Sequence, residues 1–119
     1  MVCADVIEHV LDPDKLLAYL KNKMTNNGYL LISTPERDKL RGEGCNYSPN
    51  KHHIREWNKS EFLTYLEQSG LVVISYYLEY PIKIGWNRIF ISHFLRWLKN
   101  GFSKGLAFRS NQVVLLKKK

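Results

Sequence analysis

The chain has 119 residues, of which 45% are hydrophobic and 24% charged, and this composition excludes a disordered or low-complexity protein and favours one globular domain. No apolar run has the roughly 18 residues of a membrane-spanning helix, and two cysteines are too few for a disulfide framework, so we expect a reducing, cytoplasmic location. Residues 1–80 hold nine bases and all eleven acids, whereas residues 81–119 hold nine bases and no acid, and such a basic segment favours anionic partners.

Strands and helices are predicted to alternate from the first residue. Residues 1–4 form an apolar run that indicates the end of a buried strand. Asp12 and Pro13 are typical of a helix start, and Gly28 suits the left-handed position that ends a helix. Residues 29–33 are continuously apolar, which is typical of a strand that is buried on both faces.

A long polar segment, residues 36–57, separates these elements from the rest and is predicted to be a functional loop. Asn58 and Glu61 have the spacing of a capping box, so a helix is expected to start there and to end at Gly70. Three further elements are predicted: strands over 71–78 and 112–116, and an aromatic-rich helix over 86–98. This alternation indicates a layered α/β fold.

Several segments, taken in order, resemble class I S-adenosylmethionine-dependent methyltransferases. They are CADVIEHV at 3–10, DPD at 12–14, NGYLLISTP at 27–35, and HIREW at 53–57 followed by SEF at 60–62. The first three resemble the segment from the family's fourth strand through its fifth. The resemblance implies a partial Rossmann-like fold that runs from the fourth strand to the C-terminus.

The family's glycine-rich motif, G-x-G-x-G, does not occur in these 119 residues, and neither does the acid that holds the cofactor ribose. We therefore expect residues 1–119 to be the C-terminal part of a methyltransferase domain whose N-terminal half is missing. Residues 81–111 resemble the family least. They are expected to be a variable basic and aromatic insertion that caps the substrate, and 81–119 is expected to contact an anionic or peripheral membrane surface.

The resemblance implies S-adenosylmethionine as cofactor, with Cys3 and Ala4 in contact with it at the end of the first strand. The implied reaction is methyl transfer to an oxygen or nitrogen of a small molecule, a glycan or a lipid-linked substrate. The alternative is non-enzymatic: an inactive remnant, or a basic interaction module that binds anionic partners. The residues alone do not choose between these two classes.

A divalent-cation site is predicted from spacing and from resemblance. The pattern D-x-x-E-H can aim Asp5, Glu8 and His9 at one point beside the cofactor, and His53 comes from the loop over the same edge. Two carboxylates and two imidazoles suit Mn²⁺, Zn²⁺ or Fe²⁺, or Mg²⁺ with waters. Methyltransferases of small-RNA 3′ ends and of the ubiquinone pathway resemble this pattern, with E-x-x-E-H.

Two readings without a metal stay open for the same residues. In the first, His9 or His53 is the catalytic base and Glu8 orients it. In the second, these side chains only brace the loop. Of the neighbours His52 and His53, only one is expected to face inward.

Overall fold

Helices and strands alternate along the chain as the sequence predicts. The computed structural model describes residues 1–45, 47–48, 50–79 and 110–119. The elements are β1 (Val2–Ala4), a 3₁₀ turn (Ile7–His9), α1 (Pro13–Lys23), β2 (Tyr29–Pro35), α2 (Arg37–Arg41), α3 (Lys59–Gln68), β3 (Leu71–Glu79) and β4 (Asn111–Lys118). The helix expected over 86–98 and nearly all of the insertion expected at 81–111 lie outside the described residues.

The four strands form one mixed sheet in the order β1-β2-β4-β3. β1 runs parallel to β2, and β4 pairs in antiparallel fashion with both β2 and β3. Cys3 pairs with Ile32, and Ile32 in turn with Val114. Because β1 and β2 are parallel, their carboxyl ends meet at one edge of the sheet, and open α/β sheets bind ligands at such an edge.

Local signals start the two longer helices where the sequence predicts them. The Asp12 carboxylate accepts the Lys15 backbone N–H at 3.0 Å, and Pro13 occupies the first helical position of α1. Asn58 and Glu61 form the predicted capping box of α3. Each satisfies backbone N–H groups that have no partner inside the helix.

The predicted end of α1 at Gly28 is wrong. The helix already ends at Met24, whose N–H bonds the carbonyl groups of Leu20 and Lys21. Gly28 does not have a left-handed backbone; its N–H bonds the carbonyl of Thr25 in a turn. A Cβ at this position would lie 2.7 Å from the Thr25 hydroxyl oxygen, so lack of space explains the glycine.

The loop predicted over 36–57 contains a helix that the sequence analysis missed. This helix, α2, begins after Glu36, whose side chain accepts the backbone N–H of Lys39 at 2.6 Å and that of Lys59 at 2.9 Å. One buried glutamate therefore caps α2 and also binds the first residue of α3.

The core lies between the sheet and the two longer helices. Its buried side chains are Cys3, Ile7, Leu17, Leu20, Met24, Leu30, Ile32, Trp57, Phe62, Leu66, Leu71, Val114 and Leu116. Trp57 comes from the loop before α3 and packs against the rings of Phe62 and Tyr65, at centroid distances of 5.6 and 5.8 Å. This tryptophan anchors the end of the loop in the core. None of the helices among the described residues is long and apolar enough to cross a membrane.

Candidate active site

The turn that follows β1 is fixed by polar contacts to the neighbouring strands. Asp5 has a positive φ of 52°, a left-handed conformation that aspartate tolerates better than most residues. Its N–H donates to the Ser33 carbonyl at 3.1 Å, and its carboxylate accepts the Ser33 hydroxyl at 2.9 Å and the Asn111 amide at 3.0 Å. Asp5 thus joins the ends of β1, β2 and β4.

Glu8 lies in the 3₁₀ turn, and its side chain is only 1% exposed. One carboxylate oxygen accepts the hydroxyl of Thr34, at the end of β2, at 3.0 Å. Burial raises the pKa of the Glu8 carboxyl, and the Thr34 hydrogen bond opposes this rise only in part. Among the described residues no lysine or arginine forms an ion pair with Glu8; its neighbour is His9, whose Nε2 lies 3.9 Å away.

His9 is held by the loop before α3. Its Nδ1 lies 2.7 Å from the backbone carbonyl oxygen of His52. A carbonyl only accepts hydrogen bonds, so Nδ1 carries the proton, and in the neutral ring Nε2 keeps its lone pair. The imidazole is 42% exposed, which leaves it accessible to a substrate.

The loop places His53 beside His9. The N–H groups of Ile54 and Arg55 donate to the Glu8 carbonyl, at 2.7 and 3.3 Å. These bonds tie the loop backbone to the 3₁₀ turn. The two imidazole rings then lie 4.8 Å apart, centroid to centroid, and nearly perpendicular.

Three of the four predicted metal ligands come together. One candidate ligand atom from each of Glu8, His9 and His53 lies within 4.8 Å of the others. Donor atoms on one zinc ion are about 3.4 Å apart by tetrahedral geometry, so binding requires these side chains to close by about 1 Å. Asp5, expected as a fourth ligand, is outside this group because its carboxylate binds Ser33 and Asn111. His52 is exposed and contributes only its carbonyl.

The predicted cofactor contacts differ in exposure. The side chain of Cys3 is part of the core, whereas Ala4 is exposed at the end of β1. Of the two, Ala4 is the residue whose side chain a ligand at this edge can reach. Cys45 is half-buried, and its thiol donates to the Tyr47 carbonyl.

A hollow of about 590 Å³ lies elsewhere, beside α2 and α3, and none of the predicted site residues lines it. Its walls carry mostly acidic, basic and neutral polar side chains of α2, α3 and the adjoining loop, with Leu63 as the one apolar residue. A wide depression of mixed charge is typical of a solvated surface, so the sheet edge is the better candidate for the site.

Two residues of the site were not predicted as such. Thr34 donates a hydrogen bond to Glu8, and the Glu56 carboxyl lies within hydrogen-bond distance of Nδ1 of His53. The spacing of His53 and Glu56, three residues apart, was a signal for the second contact, although Glu56 was noted only as part of a resembling segment.

Solved structures share the fold of this chain at low sequence identity. The small RNA methyltransferase HEN1 superposes with a TM-score of 0.56 at 16% identity, over 99% of this chain and 13% of that one. The (4+2)-cyclase SpnF gives a TM-score of 0.63 at 13% identity, over 98% and 49%. An S-adenosylmethionine-dependent methyltransferase from Clostridium acetobutylicum ATCC 824 gives 0.57 at 11%, over 98% and 56%. The chain therefore spans little more than half of these proteins at most, and the cyclase shows that one fold hosts different reactions.

Sequence comparison gives the more specific result. A search of curated proteins finds no match. Residues 1–76, however, match a family described as a methyltransferase domain. This match covers β1 through most of β3, including every residue of the Glu8, His9 and His53 group, and more than half of the chain. The chain belongs to this methyltransferase domain family.

Proposed function

We propose that the sheet edge holding Glu8, His9 and His53 is the acceptor side of an S-adenosylmethionine-dependent methyltransferase site. The convergence of these three side chains at the carboxyl ends of β1 and β2, in a chain of the methyltransferase domain family, carries the proposal. The whole protein would methylate an oxygen or nitrogen of a small molecule, a glycan or a lipid-linked substrate.

The burial of Glu8 favours a divalent cation at this site. An ionised carboxylate that is 1% exposed needs a positive partner, and none of the described lysines and arginines supplies one. One carboxylate and two imidazoles suit Zn²⁺, Mn²⁺ or Fe²⁺. Three protein donors leave coordination positions for oxygens of the acceptor.

The side chains would position and deprotonate the acceptor. S-adenosylmethionine supplies a methyl group on a sulfonium, so the acceptor atom must be held in line with the methyl–sulfur bond and must lose a proton. A cation held by Glu8, His9 and His53 would supply a Lewis acid that lowers the pKa of an acceptor hydroxyl. Ala4, exposed at the end of β1, would lie against the cofactor.

A metal-free form of the same proposal rests on His9. The His52 carbonyl fixes its Nδ1–H, so the Nε2 lone pair is available to take a proton from the acceptor. In this form Glu8 stabilises the imidazolium that results, because its carboxylate lies 3.9 Å from Nε2.

For the substrate, we retain the proposal that the basic insertion at 81–111 lies next to the acceptor. Glu79 pairs with Asn111 at the end of the sheet, and the Asn111 side chain contacts Asp5. The described residues on both sides of the insertion therefore lie near the site. With no acid in 81–119, an anionic acceptor is favoured.

Titration with Zn²⁺ and Mn²⁺ tests the cation. Calorimetry on the full chain is expected to show binding that His53→Ala weakens at least tenfold. His52→Ala is the matched control, since the neighbouring imidazole is exposed and outside the group. Equal affinities of the two variants would contradict the cation proposal.

Methyl transfer by the whole protein tests the reaction. Transfer of labelled methyl from S-adenosylmethionine should be lost in His9→Ala and retained in His52→Ala. A strong chelator separates the two forms: lost turnover supports the cation, and undiminished turnover leaves His9 as the base. Turnover that survives His9→Ala would show that the site is misplaced.

A further inference from the structure

A second buried glutamate, Glu56, lies in the loop between α2 and α3. Its side chain is 1% exposed, and three polar side chains contact its carboxylate. Arg41 donates to both oxygens, at 2.8 and 3.1 Å, and Ser48 donates to Oε1 at 2.7 Å, while Nδ1 of His53 lies 2.5 Å from the same oxygen. Unlike Glu8, this carboxylate has a charged partner and several donors.

These donors decide the charge of Glu56. Burial favours the neutral acid, but the Arg41 guanidinium donates to both oxygens and the Ser48 hydroxyl donates to Oε1, and a charged donor on both oxygens favours the ionised form. The group is therefore a carboxylate at neutral pH, and a carboxylate only accepts hydrogen bonds. The proton between it and His53 consequently belongs to Nδ1 of the imidazole.

We propose that Glu56 is a positioning residue that fixes the Nδ1–H tautomer of His53, so that Nε2 presents its lone pair. Nε2 forms no hydrogen bond with any residue of the described part. The same tautomer results at His9 from a different acceptor, the His52 carbonyl. Both rings of the site are then held through Nδ1, an arrangement that is common for histidines that bind metals.

The ring of His53 and the backbone of the loop are held by separate contacts. The backbone is fixed by the bonds from Ile54 and Arg55 to the Glu8 carbonyl and by the bond from His53 N–H to the Asn50 carbonyl. The place of His53 in the loop therefore has backbone contacts of its own, and the contact of Glu56 with His53 is to the ring. The tautomer does not depend on the proposed function; only its use by a metal or acceptor does.

Two-bond ¹H–¹⁵N NMR spectra of the full chain test the tautomer, at a pH where the ring is neutral. Wild-type His53 is expected as Nδ1–H, and Glu56→Gln is expected to shift it toward Nε2–H, because an amide can donate as well as accept. Glu43→Gln, an exposed carboxylate of the same loop, is the matched control and should leave His53 unchanged. An Nε2–H tautomer in the wild type, or an Nδ1–H tautomer kept in Glu56→Gln, would overturn the proposal.

A further variant distinguishes a change of tautomer caused by Glu56 from one caused by a general disturbance of the loop. Ser48→Ala keeps the carboxylate and should retain the Nδ1–H tautomer, so a switch in this variant would show that Glu56 does not set it. Zinc affinity is the second readout: Glu56→Gln should weaken it by tenfold to a hundredfold, whereas Glu43→Gln should not. Unchanged affinity in Glu56→Gln would contradict a positioning role. A wild type that binds no cation would remove the cation proposal while the tautomer result stands.

Discussion

At pH 7 the exchange Glu8→Gln should raise the free energy of unfolding, whereas Glu56→Gln should lower it. Glu8 and Glu56 are equally buried, and glutamine has nearly the same shape. Glu8 accepts one side-chain hydrogen bond, from Thr34, whereas Glu56 accepts from three side chains, one of them charged. The two exchanges therefore isolate the effect of the charge.

For Glu8 the folded protein holds its proton more tightly than the unfolded chain. Burial raises the pKa of this carboxyl above its usual 4.5. Stability therefore falls as the pH rises from about 4.5 to the folded-state pKa. At pH 7 Glu8→Gln should be more stable than the wild type, and each pKa unit of the rise corresponds to about 1.4 kcal/mol. At pH 4 the difference should vanish.

For Glu56 the change of stability with pH has the opposite sign. Its pKa is lowered from 4.5 to about 2, against the effect of burial, chiefly by the hydrogen bond from Arg41. The carboxylate therefore stabilises the fold above pH 4.5, and this contribution is lost as the pH falls toward 2. Lowering the pKa by this amount corresponds to about 3 kcal/mol. Glu56→Gln should lose about this much at pH 7, and most of the loss should persist at pH 4.

Urea unfolding at pH 7 and pH 4, followed by circular dichroism, measures both effects without added metal. With a urea m-value of about 2 kcal/mol per M, a change of 1 kcal/mol moves the unfolding midpoint by about 0.5 M. Loss of stability in Glu8→Gln at both pH values would refute the reasoning, since it would mean that the Glu8 contacts outweigh the cost of its buried charge. Equal effects of the two exchanges would refute it as well.

Two further exchanges test the fold. Phe62→Ala should cost about 3 to 5 kcal/mol in urea unfolding, because the ring is fully buried against Trp57; a loss no larger than that of the milder Phe62→Leu would contradict this packing. Asp12→Ala should lower the free energy of unfolding through loss of the α1 cap, while Asp12→Asn, which keeps a capping oxygen, should lower it clearly less.

The parts of the fold that were predicted correctly are those with local causes. Capping residues and apolar runs act within a few residues, so the starts of α1 and α3 and the positions of the strands could be read from the sequence. The helix α2 was missed because it is short and its cap is Glu36, a residue outside the usual capping set. The place of β4 between β2 and β3 depends on pairing across the chain, which no local pattern encodes.

The site was predicted in part for the same reason. Glu8 and His9 follow one strand end directly, and His53 was placed beside them by resemblance and topology. Asp5 was grouped with them, but it lies outside the group of Glu8, His9 and His53, and its carboxylate accepts hydrogen bonds from Ser33 and Asn111. Nothing in the spacing of the sequence indicates these hydrogen bonds.

The two glutamates are equally buried but have opposite effects on the stability of the fold. Glu8 is buried with too few donors, which is unfavourable for folding and favourable for binding a cation or a proton. Glu56 contacts His53 directly, and its hydrogen bonds with Arg41 and Ser48 stabilise the loop whose backbone bonds the Glu8 carbonyl. The favourable contribution of the Glu56 carboxylate to folding therefore offsets the cost of burying the Glu8 carboxylate.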